Sequence, residues 1–282
     1  MTSGAAADSL SSDPTISLSG NPWLVKTGNG PMNDKSAAWV LPSNVTTVNG
    51  DVVISTMRHC GAIGTPNAPA HPKPCDRWKD TWYSTGRIEL DKTVLAHNFT
   101  YTVNAKLEGG GKASPGTRQA IWMRNQQGYC GHPNTPKKTL LGEFDLAEFY
   151  GTKSRPETVT HLTCKEKKTL SDSKSAPAFN TKEFKKFSVS VQQRKVSYRI
   201  GDQAPHATST CGKKAFSPEA IKGNGYAGWK EACNTALSGP WLLVINGDVF
   251  KPNKGLAEKF QGPAWKENFP TQKMIIRSAT FS

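Results

Sequence analysis

The sequence predicts an all-β protein, a sandwich of antiparallel sheets, on three observations. About ten short runs carry alternating or β-branched character, turn residues separate them, and no long amphipathic helix interrupts them. At 282 residues the chain is long enough for one large all-β domain or two small ones. Neither a composition break nor an internal repeat marks a second unit. Residues 21–282 are therefore expected to form a single domain behind a flexible leader, residues 1–20.

The leader, "MTSGAAADSLSSDPTISLSG", lacks the basic start and continuous apolar stretch of a signal peptide, and is expected to be what a removed signal leaves exposed. The expected strands follow at 52–57, 85–90, 99–108, 119–124, 142–150, 158–164, 184–192, 195–201, 241–249 and 274–281. Their alternation has physical content. In "FTYTVNAKL", Phe99, Tyr101, Val103 and Ala105 share one face, and Thr100, Thr102, Asn104 and Lys106 share the other, so one face meets a core and one meets water. Residues 60–80 and 109–117 read as loops, and 203–239 as a longer irregular insertion. Within it, "SPEAI" at 217–221 suits a short helix, with Ser217 as cap and Pro218 at the first helical position.

Six cysteines with no C-x-x-C pair argue for three disulfides in an exported protein, not for a zinc site. Sequence does not choose among the pairings; joining neighbours gives Cys60–Cys75, Cys211–Cys233 and Cys130–Cys164. The formal charge of +14 favours encounter with polyanions and says nothing about fold. The basic residues are scattered, with no nucleic-acid-binding signature among them, so a solvated basic face is the plainer reading and acidic glycans the next. No apolar run approaches the roughly 20 residues that span a bilayer, and no membrane insertion is expected.

The most informative stretch is "GEFDLAEFYG", 142–151, where Glu143, Asp145 and Glu148 interrupt an apolar and aromatic strand. Positions i and i+2 share a strand face, so Glu143 and Asp145 point together and strict alternation would turn Glu148 away. One β-bulge between Asp145 and Glu148 returns the second glutamate to the same face and leaves Phe144, Leu146 and Phe149 on the apolar side. Three acids on a strand are ordinarily a solvated face. Converging glutamates also suit double-displacement glycoside hydrolysis, in which one attacks the anomeric carbon and the other donates and later accepts a proton. Two further candidates stand on residue type and place: Arg124, just past Trp122, and Trp229, in the loop "GNGYAGWKEAC".

"GEFDLAEF" resembles the bulged E-x-D-x-x-E signature of glycoside hydrolase family 16, in its laminarinase-like form. "YSTGRIEL", "HNFTYTVNAKL", "RQAIWM", "VTHLT" and "GPWLLVINGDV" resemble the family's neighbouring segments in the family's order, over roughly residues 39–282. The resemblance implies a β-jelly-roll with a substrate groove across its concave sheet. It implies Glu143 as nucleophile, Glu148 as general acid/base and Asp145 as assisting acid. Trp122 falls where the family packs a tryptophan beneath the sugar nearest the cut, His161 matches a cleft histidine, and Asn246 an inner-strand asparagine. Arg277 stands where many members have an aspartate that helps hold calcium, so no metal or cofactor is expected. The function implied is a secreted, monomeric, retaining endo-β-glycanase acting on β-1,3- or β-1,3/1,4-glucan. The alternatives are a related hydrolase of acidic or sulfated galactan or animal glycan, and a non-catalytic lectin-like module.

Overall fold

A computed structural model describes residues 13–28, 32, 35–65, 67–94, 96–108, 116–125, 142–151, 153–162, 170–223, 228–251 and 267–282. In chain order the strands are β1 (Thr15–Leu18), β2 (Asn21–Val25), β3 (Ala38–Val40), β4 (Val45–Val48), β5 (Asp51–Cys60), β6 (Thr81–Thr85), β7 (Arg87–Leu90), β8 (Phe99–Glu108), β9 (Thr117–Asn125), β10 (Glu143–Tyr150), β11 (Glu157–His161), β12 (Ser171–Ser175), β13 (Lys185–Gln192), β14 (Lys195–Ile200) and β15 (Ala207–Thr210). Two helices, α1 (Pro218–Gly223) and α2 (Trp229–Ala236), precede β16 (Trp241–Val249) and β17 (Gln272–Phe281).

The strands form two sheets. The first runs β1-β2-β7-β16-β9-β10-β11-β12 and carries the acidic strand. The second runs β15-β14-β13-β8-β17-β5-β6-β3, with β4 also paired to β5. Every pair is antiparallel except β3 with β6, a parallel pair in sheets expected to be purely antiparallel. Side chains from the inner faces fill the space between. Tyr101, Val103, Ala105 and Leu107 of β8 meet Ile121 and Met123 of β9, Phe144 and Phe149 of β10, and Trp241, Leu243 and Ile245 of β16 in one core. The alternation read from β8 holds along its whole length.

Each expected strand is present, and one of them is two. The run 85–90 breaks at Gly86, which hands the chain from β6 in one sheet to β7 in the other. A Cβ at Gly86 would lie 2.6 Å from Val45 Cγ2 and 3.0 Å from the Asn44 carbonyl oxygen, so the corner has room only for glycine. The sheets also approach closely at Gly247, where a Cβ would stand 2.3 Å from the hydroxyls of both Thr56 and Thr85.

The insertion is more ordered than its composition suggests. Ser217 caps α1 as expected, its Oγ accepting from the Ala220 amide at 3.1 Å, and α2 follows, burying Ala232, Cys233 and Ala236. Cys60 pairs with Cys75 and Cys211 with Cys233; the expected Cys130–Cys164 pair lies outside the described residues. The leader is shorter than expected, because Thr15–Leu18 forms β1 and Leu18 is buried in the core. Residues 1–12 lie outside the described residues.

Candidate active site

The site is built on the face of the first sheet turned away from the core. Its middle strand, β10, lies between β9 and β11. Against β9, Asp145 pairs with Trp122, Ala147 with Ile121 and Glu148 with Ala120, and the register shifts between Asp145 and Ala147. Against β11, Asp145 pairs with Val159 and Glu148 with Glu157, so Leu146 and Ala147 together face Thr158. This is the expected bulge. Phe144, Leu146, Ala147 and Phe149 belong to the core, and all three acids turn to the other face.

Glu143, Asp145 and His161 form one cluster. His161 Nε2 lies 3.4 Å from Asp145 Oδ2 and 4.0 Å from Glu143 Oε1. Its Nδ1 meets Ser171 Oγ of β12 at 2.6 Å, which fixes the ring. Burial, then the Asp145 charge, pushes the Glu143 carboxyl up to about 8 against the pull of His161. Burial first and the Glu148 charge second lift Asp145 to about 6. Burial alone would lower His161, but the hydrogen bond and charge of Asp145, with Glu143 and Glu148 behind it, outweigh that and raise it to about 9. The cluster therefore retains protons at neutral pH, His161 is a cation there, and it donates to both Asp145 and Ser171. The ligand atoms of the trio lie within 4.8 Å of one another, near enough for one small cation. The protonated imidazole already supplies positive charge at that place.

Glu148 sits in different company. Arg118 Nη1 donates to Glu148 Oε1 at 2.7 Å, and the Tyr150 hydroxyl donates to the same oxygen at 3.1 Å. The other fork of Arg118 reaches Asp248 Oδ2 at 3.3 Å, and its guanidinium lies over the Phe250 ring, 5.3 Å from the centroid. Asp248 is fully buried; it accepts from Ser36 Oγ at 3.0 Å and from the Val249 amide at 2.8 Å. Burial raises the Asp248 carboxyl, with Arg118 and Ser36 opposing. Arg118 and Ser36 thus supply the partners that a buried carboxylate needs.

The remaining candidates divide. Trp122 stands on the groove face beside Asp145, its Nε1 donating to Asn246 Oδ1 at 2.8 Å. Asn246 is 2% exposed and also donates to the Gly247 carbonyl at 2.9 Å, so its side chain holds Trp122 in place from beneath. The Arg87 guanidinium lies 5.4 Å from the Trp122 ring centroid and pairs with Glu89. Arg124 alternates onto the same face and pairs in register with Glu143. Trp229 does not join them. It opens α2 and packs against Gly212, with the guanidinium of Arg194 5.0 Å from its ring centroid. That is a turn of the second sheet, and the aromatic seals the disulfide-tied insertion. Sequence reasoning passed over Arg118, Arg87 and Tyr150. Alternation in β9 was the available signal for the first, since Arg118, Ala120, Trp122 and Arg124 share one face.

At the strand where calcium was in question, Arg277 donates to both carboxylate oxygens of Asp51, at 3.3 and 3.4 Å, and stacks 3.6 Å from the Phe184 ring centroid. A guanidinium on Asp51 does not suit a calcium site there.

Solved structures share the fold. The laminarinase catalytic domain of Thermotoga maritima superposes with a TM-score of 0.59 at 17% identity, covering 92% of this chain and 89% of that one. The fold is that of the laminarinase-like family 16 hydrolases. LamA of Z. galactanivorans, solved with laminaritriose and laminaritetraose, gives 0.60 at 15% identity over 92% of this chain and 91% of that one. A structure from work on endo-acting O-glycanases of the human gut microbiota, which initiate mucin breakdown, gives 0.59 at 16% identity, over 91% and 84%. No family model matches the chain, and no curated protein sequence does.

Proposed function

We propose that the protein is a secreted, retaining endo-β-glycanase that cleaves β-1,3- or mixed β-1,3/1,4-linked glucan. The observation that carries the reading is the bulge, which brings Glu143, Asp145 and Glu148 to one open sheet face beside Trp122 and His161. In the first step Glu143, having released to solvent the proton it retains at neutral pH, attacks the anomeric carbon as a carboxylate while Glu148 protonates the departing oxygen. In the second, Glu148 takes a proton from water, whose oxygen displaces Glu143. Asp145, with the His161 cation against it, carries negative charge between the two glutamates without leaving it uncompensated. Trp122, held by Asn246, offers an apolar ring face to the sugar.

The groove chemistry favours a neutral polymer over an acidic one. Among the described residues of this face, Glu89, Glu143, Asp145, Glu148, Glu157 and Asp248 outnumber Arg87, Arg118, Arg124 and the His161 cation. Arg87 and Arg118 already pair with carboxylates. The net charge of +14 therefore resides elsewhere on the molecule. The two disulfides support export.

The test is reducing-end release from laminarin, mixed-linkage glucan and sulfated galactan, with product anomers read by NMR. Expected are internal cuts in a neutral glucan with the β-anomer formed first, and loss of release in Glu143→Gln and Glu148→Gln. Release confined to the sulfated polymer, or undiminished in both variants, would overturn the reading. Binding without release from any glycan would favour a lectin.

A further inference from the structure

Arg118 is placed between two carboxylates that differ in freedom. Asp248 is fully buried and fixed by Ser36 and the Val249 amide. Glu148 lies on the outer face of the sheet, where the Tyr150 hydroxyl also donates to it. One guanidinium reaches both, at 2.7 Å to Glu148 and 3.3 Å to Asp248, over the Phe250 ring. Resting on the reading of Glu148 as acid and base, this arrangement has a difficulty. Glu148 must carry a proton at the start of the first step and be a carboxylate at its end, with the Arg118 guanidinium 2.7 Å away.

The geometry points to Arg118 as a movable counter-charge: it pairs with Glu148 while that residue is a carboxylate, and Asp248 retains it while Glu148 carries the proton. When Glu148 gives its proton to the leaving oxygen, the bond from the anomeric carbon to that oxygen breaks and one to Glu143 forms. The new Glu148 carboxylate then draws Arg118 back. When water is deprotonated, its oxygen bonds the anomeric carbon, Glu143 leaves as carboxylate, Glu148 takes the proton, and Arg118 returns to Asp248. Arg118 and Asp248 are thus positioning residues that alternate the state of Glu148 without touching sugar. The other groups around Glu148 are Tyr150, Asp145 and Glu143 on β10, His161 on β11, and Glu157 opposite it in register on β11.

Removing either partner should act in opposite directions. Asp248→Asn leaves Arg118 to Glu148 alone and removes a like charge. Arg118→Gln removes the cation. The experiment follows the Glu148 carboxyl carbon by NMR titration, together with the pH profile of kcat/KM on the cleaved glucan. Asp248→Asn is expected to move the Glu148 titration and the alkaline limb down by about one pH unit, and Arg118→Gln to move both up by about one unit. Arg118→Lys, which keeps the charge and serves if Arg118→Gln unfolds, should lie near the parent. Shifts in the same direction in both variants, or none in either, overturn the proposal, because a merely structural role lowers activity without reversing sign. Opposed carboxyl shifts in a protein that cleaves no glycan would keep the counter-charge and remove the enzymatic reading.

Discussion

Replacing Glu143 by glutamine should make the protein more stable as well as inactive, and the gain should depend on pH. Glu143 keeps its proton in the folded state up to about 8, whereas its ordinary value is 4.5. Between those values the unfolded chain has lost a proton that the folded chain retains, so the carboxyl's contribution to stability falls as pH rises from 4.5 toward 8. Glutamine does not titrate and escapes that loss. At pH 7 the full effect is about 2.5 pH units, or about 3 kcal/mol. The side chain keeps 17% exposure, and entering water with relaxation of His161 reduces this to roughly 1–2 kcal/mol. For a chain of this size that is a rise of roughly 2–3 °C in Tm. The assay is calorimetric melting of both proteins at pH 4.5 and pH 7. The variant should gain at pH 7 relative to its own difference at pH 4.5. An equal difference at both values, or a variant less stable at pH 7, would refute the assignment of a retained proton to this cluster.

Other outcomes are also expected. His161→Gln should lose stability at pH 6, where the raised imidazole is charged, and the loss should fade as pH rises through about 9; denaturant midpoints at pH 6 and pH 10 check this. Gly247→Ala should cost roughly 1–3 kcal/mol, because its Cβ meets two threonine hydroxyls at 2.3 Å, and should raise KM by shifting Asn246 and with it Trp122. Cys211→Ser should lower stability by roughly 2–4 kcal/mol, as should mild reduction of the parent, with both read by melting.

How much of the site was legible follows from how local each relation is. The parity of Glu143, Asp145 and Glu148 lies within six residues, and the surrounding Phe and Leu had to face a core; one bulge was the local solution. Trp122 and His161 were placed by resemblance. Arg118 was not, because its meaning comes from Asp248, 130 positions away, and that of Asp248 from Ser36, 212 positions away. Trp229 shows the converse. Its loop composition reads the same whether the ring faces sugar or Gly212, and only the sheet against which α2 packs decides. The short strands β4 and β12 carry "VTTV" and "SDSKS", with no apolar alternation to announce them. They form because a neighbouring strand offers its free edge.

The bulge in β10 also sets what length changes the strand tolerates. Because Leu146 and Ala147 together oppose Thr158, the strand carries one residue of slack at that step. Losing Ala147 would leave Leu146 opposite Ile121 and Glu148 still opposite Ala120, with every acid and every core side chain on its present face. The same loss at Phe144 would reverse one side of the strand against the other. A single-residue deletion, ordinarily ruinous in a central strand, is thus absorbed at the one step that lies between the two glutamates.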